Sequence, residues 1–334
     1  MPENYKLNRR NLMLGAGVIA ATLTTKLAYA SDDTAANPID LTGVSILITG
    51  CSSGFGRLGA EHYARLGAKV FATMRNLPRS EATELETLAA TENLDISVLE
   101  IDVTLDDQIE AGVAQALEAT GGTLDVLINN AGMAISGPIE AQDMAATQRI
   151  FDTNVFGAHR MTRAVLPPMR AAGRGQIFNV TSQLGRVIVP GFGQYSPTKF
   201  ALEAMSEQLA YEVASHGIEV TIIQPGGYPT KIWTNQITPT SELKSRLPDD
   251  ILTAYPQLTA GMGTEGNGGG DSDPMDIPHA IAKTIAMPIG SRPLRIALHP
   301  VARPQEMINT VSAKTQLAVL GNSPFGPSIK AVLD

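Results

Sequence analysis

From residue 44 onward, short apolar runs alternate with longer stretches in which apolar residues return every third or fourth position. The runs at 44–49, 70–74, 96–101, 124–129, 176–180, 219–224 and 294–298 are almost continuously apolar, which is the mark of strands buried on both faces. The intervening stretches at 56–66, 105–119, 145–169, 194–215 and 274–286 have helical spacing. Strand and helix in turn predict an α/β fold: a doubly wound parallel sheet of Rossmann type, flanked by helices, in a single domain. Pro197 falls inside the fourth helix, which is tolerable only if that helix starts within the preceding turn. No internal repeat is present.

Residues 1–30 do not fit this alternation and read as an export signal. Arg9 and Arg10 form a paired basic start, residues 12–23 are modestly apolar, and Ala28-Tyr29-Ala30 suits cleavage between small residues. The apolar part is short and rich in Gly, Ala and Thr, so no stable membrane span is expected in the mature protein. The adjacent arginines, with Asn11, Leu12 and Met13 after them and Lys26 before the cleavage site, resemble a twin-arginine signal. That resemblance implies export of a folded protein to the periplasm. An ordinary secretory signal and an uncleaved anchor are the alternatives. Residues 31–40 form a polar linker, leaving 41–334 as the catalytic domain.

Composition narrows the chemistry. Loss of Glu3, Lys6, Arg9, Arg10 and Lys26 with the signal removes a net +3 and takes the formal charge from −8 to −11, which disfavours nucleic acid as a partner. The lone Cys51 rules out an internal disulfide, and five scattered histidines suggest no metal site.

Two stretches carry candidate chemistry. Tyr195 and Lys199, four residues apart, share one face of a helix, so phenol and ammonium can point into one cleft. A free phenol titrates near a pKa of about 10. A neighbouring cation favours the phenolate, so Lys199 is expected to draw Tyr195 toward neutrality. Ser182, where the strand at 176–180 runs out, is placed to steady a substrate oxygen that Tyr195 protonates. Taken singly, these are an ordinary exposed helix pair and a strand-end serine. The second stretch is Thr49-Gly50-Cys51-Ser52-Ser53-Gly54-Phe55-Gly56, between the first strand and its helix. Glycines there let the backbone approach a pyrophosphate, which the helix N-terminus favours electrostatically.

Asp102 in IDVT, Asn129-Asn130-Ala131-Gly132, a helical Asn154 and Pro225-Gly226-Gly227-Tyr228-Pro229-Thr230 complete a series. In that order, with the glycine loop, Ser182 and Tyr195-x-x-x-Lys199, the chain resembles the classical short-chain dehydrogenases/reductases over about 41–230. The resemblance implies an NAD(P)-dependent oxidoreductase interconverting a ketone or aldehyde and an alcohol. Tyr195 is then the general acid or base, Lys199 lowers its pKa and binds the nicotinamide ribose, and Ser182 polarises the carbonyl. Asn154 holds a water of a proton relay. Gly50, Ser52, Ser53, Gly54, Phe55, Gly56, Arg75, Asp102, Val103, Asn130, Ala131, Gly132, Pro225, Gly226 and Thr230, with Tyr195 and Lys199, form the expected cofactor surface. Asp102 would meet the adenine edge, and Asn129 would brace the central strand.

Arg75 follows the second strand, where Met74 replaces the aspartate of NAD-type relatives, which favours NADP as cofactor. Ser53, where many NADP enzymes of the family have a basic residue, keeps NAD open. Residues 227–275 are expected as the substrate lid, with Trp233 on an apolar pocket or simply packed. TGCSSGFG and VFATMRN resemble the branch with 17β-hydroxysteroid and retinol dehydrogenases, hinting at a bulky apolar small-molecule substrate. Residues 261–273 read as a flexible surface loop, and 305–320 as an amphipathic stretch that packs on the domain or on another subunit. A homodimer or homotetramer is the expected assembly. A nucleotide-sugar epimerase is disfavoured by the glycine spacing, and a catalytically silent cofactor-binding sensor or scaffold remains the alternative.

Overall fold

A computed structural model describes residues 39–264 and 268–333, so the export signal and nearly all of the linker lie outside the described residues. Seven parallel strands form one sheet in the order β3-β2-β1-β4-β5-β6-β7: β1 (Ser45–Ile48), β2 (Lys69–Met74), β3 (Ile96–Glu100), β4 (Val126–Asn129), β5 (Gly175–Val180), β6 (Ile218–Pro225) and β7 (Arg295–Leu298). The fold is thus the doubly wound Rossmann-type sheet expected. Strand residues alternate between two cores: Ile46 and Ile48 join Tyr63, Ile128 and Phe178 on one face, while Leu47 joins Phe71, Leu127, Ile177 and Ile222 on the other. Every residue of β1 is buried, which is why the strand reads as unbroken apolar text rather than as alternation.

Helices α1 (Gly54–Arg65), α2 (Ser80–Glu92) and α3 (Asp106–Ala119) follow the first three strands. After β4, α4 (Met144–Phe151), a π turn (Asp152–Phe156) and α5 (Gly157–Ala172) run on as one helix. Helix α6 (Tyr195–Val213) starts at Tyr195, so Pro197 sits in its first turn, where its missing N–H costs nothing. Between β6 and β7 lie the short helices α7 (Ile232–Asn235), α8 (Ile237–Lys244), α9 (Asp249–Ala254) and α10 (Pro256–Thr259), then α11 (Asp276–Ile285). The chain closes with α12 (Gln305–Leu320) and α13 (Gly326–Leu333), the latter against α6.

The strand order reverses direction between β1 and β4, whose register sets Ile46 opposite Val126. Loops leaving these strands therefore diverge to opposite faces and open a crevice at their carboxyl ends. That crevice holds the site.

Candidate active site

The first wall of the crevice is the loop from β1 to α1. Thr49 Oγ1 accepts hydrogen bonds from the backbone N–H groups of Asn130 at 3.0 Å and Ala131 at 2.9 Å, and Asn130 Nδ2 donates to Thr49 O at 2.8 Å. These bonds lock the two strand ends together. Gly50 and Gly54 have positive φ of 74° and 57°, which L side chains rarely adopt. A Cβ on Gly56 would stand 2.4 Å from Gly50 O, so only glycine lets α1 come this close to the strand. Ser53 N-caps α1 without a side-chain bond, and its first turn holds no acidic residue. Its leading N–H groups and the positive end of the helix dipole are left to meet an anion. This chemistry fits the pyrophosphate of a dinucleotide.

At the end of β2, Arg75 and Arg79 both line the cleft. Arg75 is largely exposed, with Nη1 3.9 Å from Asp102 Oδ2. Arg79 is held in place by Glu81 through two bonds of 2.9 and 2.7 Å, and it donates to Arg75 O. Two guanidinium groups at this rim suit a ribose carrying a phosphate. Asp102 accepts from Thr104 N at 2.9 Å and Thr104 Oγ1 at 2.8 Å, an arrangement that fixes its carboxylate at the cleft wall beside Val103.

Ser182, Tyr195 and Lys199 come together deeper in the same cleft. The Ser182 hydroxyl accepts from Leu184 N at 3.1 Å and, in the same cleft, favours the ionised form of the Tyr195 phenol. Lys199 is buried, donates from Nζ to Val180 O at 3.0 Å, and lies 5.6 Å from the centroid of the Tyr195 ring. Packed protein in place of water pushes the Tyr195 phenol up to about 12, with Ser182 pulling the other way. Burial pulls the Lys199 ammonium down to about 8 against the opposing influence of Glu203. The expected acidification of Tyr195 by Lys199 is therefore corrected for the protein by itself. Desolvation of the phenol outweighs an ammonium that is itself desolvated and turned to a carbonyl.

Asn154 lies in the π turn, a backbone irregularity often found at functional sites. Its side chain is committed to the structure: Oδ1 accepts from Met133 N at 2.8 Å, and Nδ2 donates to Met133 O at 2.9 Å and Thr198 Oγ1 at 3.1 Å. This amide pins the Asn-Asn-Ala-Gly strand end to α6. Asn129 donates to Asn179 at 2.8 Å and Thr162 at 3.2 Å, the bracing role expected of it.

Substrate-side walls come from Leu184, Val189, Phe192, Ile232 and Trp233, with Arg149, Gln183 and Gln236 as polar neighbours, and the whole cleft encloses about 760 Å³. Trp233 faces Phe192 edge-on at 6.4 Å and donates to Tyr228 O at 2.9 Å. Thr230 closes over the glycine loop, within 3.4 Å of where a Cβ on Gly54 would stand. The reading of 261–273 as a surface loop is corrected at Gly268 and Gly269: a Cβ on either would collide with Trp233 or the Tyr228 backbone, so both pack on the lid. Of the expected site residues, all line the cleft except Gly56 and Asn154, which support it from behind. Arg79 and Arg149 are cleft residues that the sequence reading missed. The Arg75-x-x-x-Arg79 spacing was the available signal for the first.

Residues 45–240 match the short chain dehydrogenase family. The chain is similar to human retinol dehydrogenase 8, at 38% identity over 56% of this chain and 60% of that protein. It is also similar to the 3-ketodihydrosphingosine reductase of Bacteroides thetaiotaomicron, at 39% identity over 57% of this chain and 66% of that one. The chain thus spans under two thirds of the length of these two relatives. A crystal structure of a short-chain dehydrogenase from Streptomyces avermitilis superimposes with a TM-score of 0.62 at 31% identity, covering 82% of this chain and 95% of that one. The protein belongs to the short-chain dehydrogenase family.

Proposed function

We propose that the protein is an NADP-preferring dehydrogenase/reductase that interconverts a bulky apolar ketone or aldehyde and its alcohol. One observation carries this reading: a single cleft brings the glycine loop, the Arg75 and Arg79 rim, the Ser182-Tyr195-Lys199 group and an aromatic wall together. The names of two relatives, which specify retinol and 3-ketodihydrosphingosine, support an apolar substrate, since both molecules are lipids. NAD is the second cofactor reading, favoured by the uncharged Ser53 in the glycine loop.

When bound, the reduced dinucleotide supplies a hydride to the carbonyl carbon. The chain's own residues handle the proton. With its phenol pushed up to about 12, Tyr195 is protonated at neutral pH and gives that proton to the carbonyl oxygen. Ser182 holds the oxygen as negative charge grows on it. Lys199 stabilises the resulting phenolate until a proton returns from solvent, and in alcohol oxidation the phenolate accepts one instead.

The test is incubation of purified protein with each dinucleotide and a panel of ketones graded by size. NADPH consumption with large apolar ketones is expected, whereas cofactor binding without turnover of any ketone would favour a silent sensor. For residues 1–30 the proposal is export by the twin-arginine route, supported by Arg9 and Arg10. Replacing both by lysine is expected to retain the protein in the cytoplasm, and unaltered export would point to the general secretory route.

A further inference from the structure

Behind Lys199, away from the cleft, α6 carries two more ionisable residues on the same face, Glu203 and Glu207. Glu203 is 2% exposed and is held on every side. Its Oε1 accepts from Thr181 Oγ1 at 2.7 Å and Gln224 Nε2 at 2.9 Å, while Oε2 meets Arg295 Nε at 2.9 Å and Arg186 Nε at 3.3 Å. Glu207 pairs with the same two arginines, and Tyr211 donates to it. Two carboxylates and two guanidinium groups thus balance in the interior.

This cluster reaches two parts of the catalytic group, Lys199 and the turn that begins at Ser182. Lys199 and Glu203 grip successive residues at the end of β5, through Val180 O and Thr181 Oγ1. Arg186 closes the short turn that begins at Ser182. A Cβ on Gly185 in that turn would stand 3.0 Å from Glu203 Cγ and 3.1 Å from Lys199 O, so the Ser182 turn is seated directly on this stretch of α6. Arg295 brings in β7, and Asn309 of α12 reaches the cluster through Gln224.

We propose that Glu203, clamped by Arg186 and Arg295, is a positioning residue that keeps Lys199 an ammonium and fixes it between the Ser182 turn and Tyr195. The proposal rests on the reading of Lys199 as part of the catalytic site. The carboxylate supplies the negative charge nearest in sequence to a lysine that burial would otherwise discharge. The charged and titratable groups facing this pair are Tyr195, Glu207 and Tyr211 on α6, Arg186 after the Ser182 turn and Arg295 on β7.

Two variants with opposite expected signs test it. Glu203→Gln keeps the shape but removes the charge, so Lys199 loses its proton at lower pH. The alkaline limb of ketone reduction and of NADPH affinity then moves down by about one pH unit. Arg186→Gln removes a cation from the same carboxylate, and the limb moves up by about half a unit. The sign for stability is separate and needs no substrate. Lys199 is pulled down to about 8 in the folded protein, below its unfolded value, so the Lys199–Glu203 attraction exists only below about that pH. The Tm deficit of Glu203→Gln relative to the native chain should therefore be full at mildly acidic pH, below the lowered titration of the variant, and shrink as pH rises through about 8. A deficit constant with pH, or a limb unmoved in both variants while activity falls uniformly, would make the cluster a plain structural brace and overturn the proposal. Should Glu203→Gln not fold, the upward limb shift of Arg186→Gln decides alone. A native chain that binds NADPH but reduces no ketone would sink the proposed function, yet the Tm comparison still settles the role of Glu203.

Discussion

The two walls of the cleft are built by different rules. On the dinucleotide side, side chains hang from strand ends whose positions the sheet fixes, and the critical approaches are backbone to backbone, as at Gly50 and Gly56. On the substrate side, four helices of four to eight residues are held by side-chain pairs such as Ser136 to Gln236 and Arg149 to Glu242. One wall is specified by where the chain can go, and the other by which side chains it carries. A cofactor common to many reactions needs the first kind of wall; a substrate particular to one needs the second.

Tyr195, where the two walls meet, gives the largest effect. Tyr195→Phe removes the proton donor without opening a cavity, so kcat should fall about a thousandfold, within the usual range for loss of a general acid. NADPH affinity, measured by fluorescence titration, should stay within about twofold, because the ring and its packing remain. A comparable loss of affinity would mean that the phenol belongs to the dinucleotide wall instead.

Gly56→Ala tests the backbone-built wall. The added methyl meets Gly50 O and Asn130 Nδ2, neither of which is the free end of a flexible chain. Unfolding should become easier by about 1 to 3 kcal/mol, and dinucleotide affinity should fall with it. Trp233→Ala tests the other wall. It should leave the dinucleotide affinity unchanged and lower kcat/KM for bulky apolar ketones about tenfold relative to small ones, the scale of lost apolar contacts in a pocket. Equal loss for large and small ketones would show Trp233 to be lid packing only.

The same contrast explains what could be read from the sequence. All seven strands were legible because strands buried on both faces leave continuous apolar runs, and the dinucleotide wall followed because its glycines lie in one contiguous loop. Helix α2 was missed because its buried face consists of only Ala82, Leu85 and Ala89, too small to mark a period. The lid helices α7, α9 and α10 are shorter than two turns, so no periodicity can accumulate in them. For the protein without its dinucleotide, the direction of the Tyr195 shift departs from the expectation for a related reason. Spacing shows that a lysine stands one turn away, but only the fold shows how much water both groups have lost.

The smallest expected effect bears on the lid's attachment. Arg149 lines the cleft and pairs with Glu242 of α8 at 3.0 Å, and Arg246 pairs with Asp143 at 2.9 Å. All four side chains are more than a third exposed, so each pair contributes under about 1 kcal/mol to stability. Beneath them the lid already packs Leu243 and Met262 against Ile135 and Ile150, which holds it down without help from charge. Arg149→Ala should therefore barely move Tm. Its effect should appear in KM, about twofold, since Arg149 itself lines the cleft and α8, which it holds, borders that space through Thr238 and Pro239. Added salt should shift the native KM toward the variant's value by screening the pairs. If Arg149→Ala instead lowered Tm as much as Gly56→Ala, the lid would be as firmly specified as the dinucleotide wall, and the contrast between the two walls would not hold.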